Sequence, residues 1–164
     1  MQYNFLKEQD FLEHKQSNKC YLFKDIQGPL LNWNDIIGNL NISIENNWLV
    51  KCLDGLGFVT HNADIIPQVR ELLNYISSLD KDSPSSAHCY FSLSTQSSTF
   101  GRHRDNSDVF FWQVIGKTEW IVENKKETIT YNLEPNNLLF VPRGIWHTTK
   151  PLSPRVGISF GLDY

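Results

Sequence analysis

Three residues, two of them close together and one about forty positions on, have the types and spacing to hold a single cation: His103, Asp105 and His147. In an extended strand, residues two apart point to the same face. In Gly101-Arg-His103-Arg-Asp105 the imidazole and the carboxylate are therefore expected to aim at one point inside a barrel, with Arg102 and Arg104 turned the other way. A third donor has to come from a different strand. The segment Pro142-Arg-Gly144-Ile-Trp-His147 supplies it, about forty residues downstream, with a Pro and a Gly making a tight turn into the strand that carries His147. Two histidines and one carboxylate that leave coordination positions open are the ligand set of non-haem Fe(II) oxygenases. His-x-Asp alone is a weak signal. His-x-Asp followed by strands, a turn and Pro-x-Gly-x-x-His is much stronger.

The elements that must position these residues are legible from the pattern of apolar and turn residues. His88 to Ser94, Val109 to Ile115, Thr118 to Val122, Thr128 to Leu133, Leu138 to Val141 and Arg155 to Gly161 read as strands. Gly116-Lys117, Asn124 to Lys126, Pro135 to Asn137 and Pro151 to Pro154 separate several of them. Short strands with frequent turns indicate a barrel or sandwich, and the lack of strand–helix alternation argues against a doubly wound fold. The first half is mixed. Phe5 to Lys15 and Asn32 to Leu40 read as helices, and Tyr21 to Phe23, Trp48 to Leu53 and Phe58 to His61 as strands. Ile65, Ile66, Val69, Leu72, Leu73, Ile76 and Leu79 recur at three and four, the spacing of one buried helical face, with Asp64 as the expected cap. Lys81 to Ser86 is the most linker-like stretch. It divides a helical and edge-strand part, residues 1–86, from a barrel core, residues 87–164, within one domain.

Composition narrows the function classes. The chain has 164 residues, 40% of them hydrophobic and 20% charged, enough to fold around a sizeable core. A net charge of -3 leaves no basic footprint of the kind nucleic-acid binding requires. No apolar run approaches a membrane span, and the start, from Met1 to Lys15, has no apolar signal region. Cys20, Cys52 and Cys89 lack metal-type spacing and read as reduced, buried thiols of a cytosolic protein.

Residues 88 to 161 resemble the JmjC-like branch of the cupin superfamily. The likeness runs through His103-Arg-Asp105, Asp108-Val-Phe-Phe-Trp-Gln-Val-Ile-Gly116 and Trp120. It continues through Leu133-Glu-Pro-Asn-Asn-Leu-Leu-Phe-Val-Pro-Arg-Gly-Ile-Trp-His147 and closes on Ser159-Phe-Gly161. The resemblance implies a mainly β fold with flanking helices, the double-stranded β-helix or jelly-roll barrel. It implies an Fe(II)- and 2-oxoglutarate-dependent dioxygenase that uses O2 to hydroxylate a protein side chain or a small metabolite, leaning to the former. 2-Oxoglutarate would meet the metal through its 2-oxo and C1-carboxylate groups. Its far carboxylate then needs a cation or strong donors. Related hydroxylases often place a Lys or Arg two residues after the glycine matching Gly116, where this chain has Thr118. Arg155 and Lys117 are the candidate cations, although strand alternation turns Lys117 outward unless a bulge intervenes. Thr118, Tyr90 and Ser92 are candidate hydroxyl donors, and Phe111 an apolar wall.

Two other classes compete. A metal-binding cupin without oxygenase activity, acting as a binding or sensing module, draws support from the neutral Thr118. A zinc-type hydrolase or isomerase ranks last, because no Glu or further His near the triad is an obvious base. Other conspicuous residues read as structural. His14, His61 and His88 have no metal-type partners and read as surface or core. Trp112, Trp120 and Trp146 read as core, Arg102, Arg104 and Arg143 as a solvated rim, and Gln113 as a barrel residue satisfying backbone groups.

Overall fold

The computed structural model describes residues 3–28, 30–48, 50–80, 85–124 and 127–162. Its second half builds the barrel from β4 (Ser85–Ser92), β5 (Asp108–Ile115), β6 (Thr118–Asn124), β7 (Glu127–Leu133), β8 (Leu138–Val141), β9 (Trp146–Pro151) and β10 (Arg155–Leu162). The first half contributes α1 (Gln9–Gln16), β1 (Tyr21–Phe23), α2 (Trp33–Glu45), β2 (Val50–Leu53), β3 (Gly57–Thr60) and α3 (Pro67–Ser77). Seven strands form one antiparallel sheet in the order β1-β8-β5-β10-β4-β3-β2, and β7-β6-β9 form a smaller one facing it. This is the mainly β cupin barrel with flanking helices that the strand pattern and the resemblance imply.

Register explains why β5 and β8 are apolar at nearly every position. Phe110 pairs with Phe140 and with Phe160, and these side chains join Phe11 of α1, Ile36 of α2 and Leu72 of α3 in one core under the helices. Phe111 pairs with Leu139 and lies on the opposite face with Val109, Trp120 and Leu133, inside the barrel. Both faces of the central strands are covered, so alternation of apolar and polar residues disappears there. It returns on β7, where the burial alternates between exposed and half-buried positions.

Several local readings are corrected. The second helix runs five residues beyond Leu40, to Glu45, and starts on a reciprocal cap: Asn32 Oδ1 accepts from Asn34 N at 2.8 Å, and Asn32 N donates to Asp35 Oδ2 at 2.8 Å. Asp64 does not cap the third helix. It sits in a separate 3-10 turn, Ala63–Ile65, and accepts from Arg70, while Pro67 occupies the first turn of α3. Phe5 to Lys15 is two elements, a 3-10 turn over Phe5–Lys7 and then α1. Ser85 and Ser86 open β4 and are not linker, while Lys81 to Pro84 and the hairpin tip Lys125-Lys126 lie outside the described residues. Of the cysteines only Cys89 is buried. Cys20 is half-buried and Cys52 exposed, and all three are free thiols. Among the described residues no helix is long and apolar enough to cross a membrane.

Candidate metal centre

His103, Asp105 and His147 converge: one donor atom from each lies within 4.8 Å of the other two. His147 Nε2 is 3.5 Å from Asp105 Oδ2, and His103 Nε2 is 3.9 Å from Asp105 Oδ1. Backbone bonds bring them together. His103 and His147 exchange both N–H···O=C bonds, at 3.0 and 2.8 Å, and Gly144 N donates to the Asp105 carbonyl at 2.8 Å. The segment carrying His103 and Asp105 is therefore pinned beside β9. It is not the regular strand expected from the sequence: a single bridge at His103 is all the pairing it makes, with bends on either side. Gly101 at φ +70 turns the chain just before His103, and Gly144 at φ +77 turns it just before β9, a conformation that side-chain-bearing residues disfavour. Ile145 N closes the second turn onto the Pro142 carbonyl at 3.3 Å.

The rings are oriented as ligation requires. His103 Nδ1 lies 3.0 Å from the Gly101 carbonyl and His147 Nδ1 lies 3.1 Å from the Ile145 carbonyl. A carbonyl only accepts, so each Nδ1 carries the proton and each Nε2 lone pair faces the cluster. Trp120 stacks on His147 with centroids 5.0 Å apart. His147 is buried, and burial lowers its pKa, against a smaller opposing effect of the Ile145 carbonyl, which favours the neutral imidazole a metal needs. His103 and Asp105 stay about one-third exposed, at the mouth of the barrel rather than deep within it. Two imidazoles and one carboxylate, with one side open, fit a divalent transition metal.

A cavity of about 300 Å³ leads from this cluster into the barrel. At its far end lies Arg155, 4% exposed. Its Nη1 donates to Thr118 Oγ1 at 3.3 Å, and its Nε is buried with no partner among the described residues. Burial lowers the guanidinium to about 10, which leaves it cationic at neutral pH. A buried cation that lines a cavity and has an unsatisfied donor has the chemistry to receive an anion. Tyr90, Ser92 and Phe111 also line the cavity, and burial, aided by Asp105, pushes the Tyr90 hydroxyl up to about 12, so it remains a proton donor.

Two candidates stand elsewhere. Lys117 stands in the turn between β5 and β6, exposed on the outer surface and paired with Glu134. Thr118 sits behind Arg155 and holds it, outside the cavity lining. Trp146 is not core: it is half-buried at the rim, with the Arg102 guanidinium 4.0 Å and the Arg104 guanidinium 5.3 Å from its ring centroid. Arg102 also binds Glu123 through two 2.7 Å hydrogen bonds. Gln113 bonds the Ile115 and Val156 carbonyls, the backbone role expected of it. His88, assigned to surface or core on sequence, lines the cavity together with Ser86 and Ser159. The signal was present in the alternation His88-x-Tyr90-x-Ser92, which places His88 on the same face as the candidate donors Tyr90 and Ser92.

Comparison with known proteins agrees with this fold. A family model described as the JmjC domain matches residues 59–164. The structure of YcfD, a ribosomal oxygenase from Escherichia coli, superposes over 100% of this chain and 53% of its own, with TM-score 0.80 and 19% identity. The same protein in complex with cobalt and 2-oxoglutarate matches 94% of this chain and 51% of its own, at TM-score 0.78 and 19% identity. A Bacillus subtilis oxalate decarboxylase variant matches 72% of this chain and 28% of its own at TM-score 0.54 and 10% identity. The chain thus spans about half the length of the oxygenase chains it resembles. No curated protein sequence matches it.

Proposed function

The chain belongs to the JmjC domain family, and from that premise we propose that it is an Fe(II)- and 2-oxoglutarate-dependent oxygenase that hydroxylates a protein side chain or a small metabolite, the former preferred. We take residues 1–164 as one domain, because Phe11, Ile36 and Leu72 from the first half share a core with Phe110 and Ile158 from the second. The observation that carries the reading is a single cavity joining an open His/Asp/His cluster to a buried, under-partnered arginine. The likeness to a protein whose structure holds cobalt and 2-oxoglutarate supports a divalent metal with 2-oxoglutarate here.

When bound, iron and 2-oxoglutarate would supply the oxidising chemistry with O2. The protein's part is positioning and charge. His103, Asp105 and His147 hold the metal and leave one side of it free. The Gly101 and Ile145 carbonyls keep both Nε2 atoms turned toward it. Arg155 is the counter-charge for the far carboxylate, braced by Thr118, while the protonated Tyr90 hydroxyl and Ser92 add neutral donors. Phe111 and Trp120 keep the wall between them apolar and limit water.

The rival reading, a cupin that binds a metal without oxidising anything, drew its support from the neutral Thr118. Arg155, reaching that position from β10, supplies the missing cation and weakens that argument. Purified protein with Fe(II), ascorbate and labelled 2-oxoglutarate is expected to release succinate by slow uncoupled turnover, and the Asp105→Ala variant is expected to release none. Iron-loaded protein that leaves 2-oxoglutarate untouched would favour the binding module.

A further inference from the structure

The cavity has a second polar end that the cosubstrate does not explain. Along β10 the inward residues run Arg155, Gly157, Ser159 and Gly161, paired across β4 with Ser92, Tyr90, His88 and Ser86. Arg155 and Gly161 are six residues apart, roughly 20 Å of strand. One end therefore holds the buried guanidinium, and the other holds an imidazole and hydroxyls. His88 Nε2 is 3.1 Å from Ser86 Oγ, and Ser159 is the cross-strand partner of His88. A methyl group built on Gly161 would lie 3.4 Å from Ser86 Oγ and 3.6 Å from Ser107 Oγ, so two hydroxyls converge on one spot. His61 backs His88 with ring centroids 4.7 Å apart, and burial, with the Lys51 ammonium, lowers the His61 pKa and favours its neutral form.

Charge decides what such an end accepts. Among the described residues lining the cavity, Asp105 is the sole carboxylate and it faces the two ligand imidazoles. With a divalent ion bound, the ion and Arg155 already outweigh Asp105, and a bound dicarboxylate would only bring the charges to balance. A guanidinium or ammonium entering beside His88 would find no counter-charge and would lose its hydration without compensation. An amide or hydroxyl loses much less and finds both donors and acceptors there. We propose that His88, Ser86 and Ser159 form the recognition end of the cavity, and that they select an uncharged hydrogen-bonding side chain, a carboxamide or hydroxyl, over a cationic one. The identity of this end as the place where a target is held for oxidation rests on the oxygenase reading; the binding preference does not.

The test uses Zn(II)-loaded protein with 15N-labelled histidine, probed by NMR with propionamide and with n-propylguanidinium. The His88 resonances, assigned by their loss in His88→Asn, are expected to shift saturably with propionamide, and at least about ten-fold more weakly with the guanidinium. His88→Asp is expected to reverse that order, read from shifts of neighbouring backbone amides. Ser86→Asp serves the same purpose if His88→Asp does not fold. His88→Asn, which keeps a neutral donor and acceptor, is expected to retain the propionamide preference by the same amide readout. Equal or tighter binding of the guanidinium by the unsubstituted protein, or no response to either probe, overturns the proposal. A parallel 2-oxoglutarate titration separates the two readings. Loss of 2-oxoglutarate binding with the propionamide preference intact defeats the oxygenase reading alone, and the converse defeats this inference alone.

Discussion

Replacing Arg155 by Met is expected to weaken 2-oxoglutarate binding severely while making the ligand-free protein more stable. The two halves have one physical cause. Burial lowers the guanidinium from its ordinary value to about 10. At about 1.4 kcal/mol per pKa unit, holding that charge in the fold costs on the order of 3 kcal/mol. The folded value lies below the unfolded one, so the cost is fully present at every pH below about 10 and disappears only as pH rises above the ordinary arginine value. Methionine fills a similar volume without the charge, and the loss of one hydrogen bond to Thr118 offsets about 1 kcal/mol of the gain. The variant should therefore unfold in urea with a stability higher by about 1–3 kcal/mol, in line with other replacements of buried charges by apolar residues. Binding moves the other way. A carboxylate brought to that end without its partner is a buried, unpaired charge, costing about 3–5 kcal/mol. That corresponds to a Kd raised about a hundred-fold to a few thousand-fold. Calorimetric titration of 2-oxoglutarate into Mn(II)-loaded protein reads this directly, with metal content unchanged because Arg155 is not among the clustered donors. Lys117→Ala is the control and should leave Kd unaltered, since its ammonium faces Glu134 on the outer surface. An unchanged Kd in Arg155→Met would refute the assignment of the anion site. A marked loss of ligand-free stability would refute the claim that the guanidinium is held at a cost.

Three further outcomes are expected. His103→Ala and Asp105→Ala should each abolish stoichiometric metal binding, measured by elemental analysis after dialysis. Both side chains are about one-third exposed, so the urea midpoint should move little; retained metal would mean that the wrong ligands have been chosen. Gly157→Ala should destabilise the protein by about 1–3 kcal/mol and weaken 2-oxoglutarate binding, because a methyl there collides with the Phe111 ring inside the barrel; wild-type affinity would show that the ring moves freely aside. The lowered pKa of His61 predicts stability that is fully present above the usual histidine range and falls as pH drops through the folded-state value. Urea titrations between pH 8 and pH 4 should show a shallower acid loss in His61→Gln, and identical slopes would remove His61 from the account.

Much of the site was legible because it depends on residue type and short-range spacing. His103 and Asp105 are two apart, the turn residues Pro142 and Gly144 precede His147, and the alternation of β4 and β10 is written in the chain. The resemblance marked Tyr90, Ser92 and Arg155 as candidates, and the alternation along β4 puts His88 on the face of Tyr90 and Ser92. Other features were hidden for definite reasons. The backbone around His103 is irregular, held by one bridge to His147 and by Gly144, so the strand expected there is reduced to a single pairing. Asp64 has the composition of a helix cap, yet a 3-10 turn places it one element early and the helix begins at Pro67.

The sequence by itself marked the candidate ligand set and the β-rich architecture, and it carries the face on which strand residues stand, because alternation along a strand is a local property of the backbone. It could not choose between Lys117 and Arg155. Which strand lies opposite another, and therefore which cation reaches the cavity and which pairs with Glu134 outside it, follows from how the two sheets close on each other. Only the tertiary structure decided that, and with it the charge balance that separates the arginine end of the barrel from the histidine and serine end.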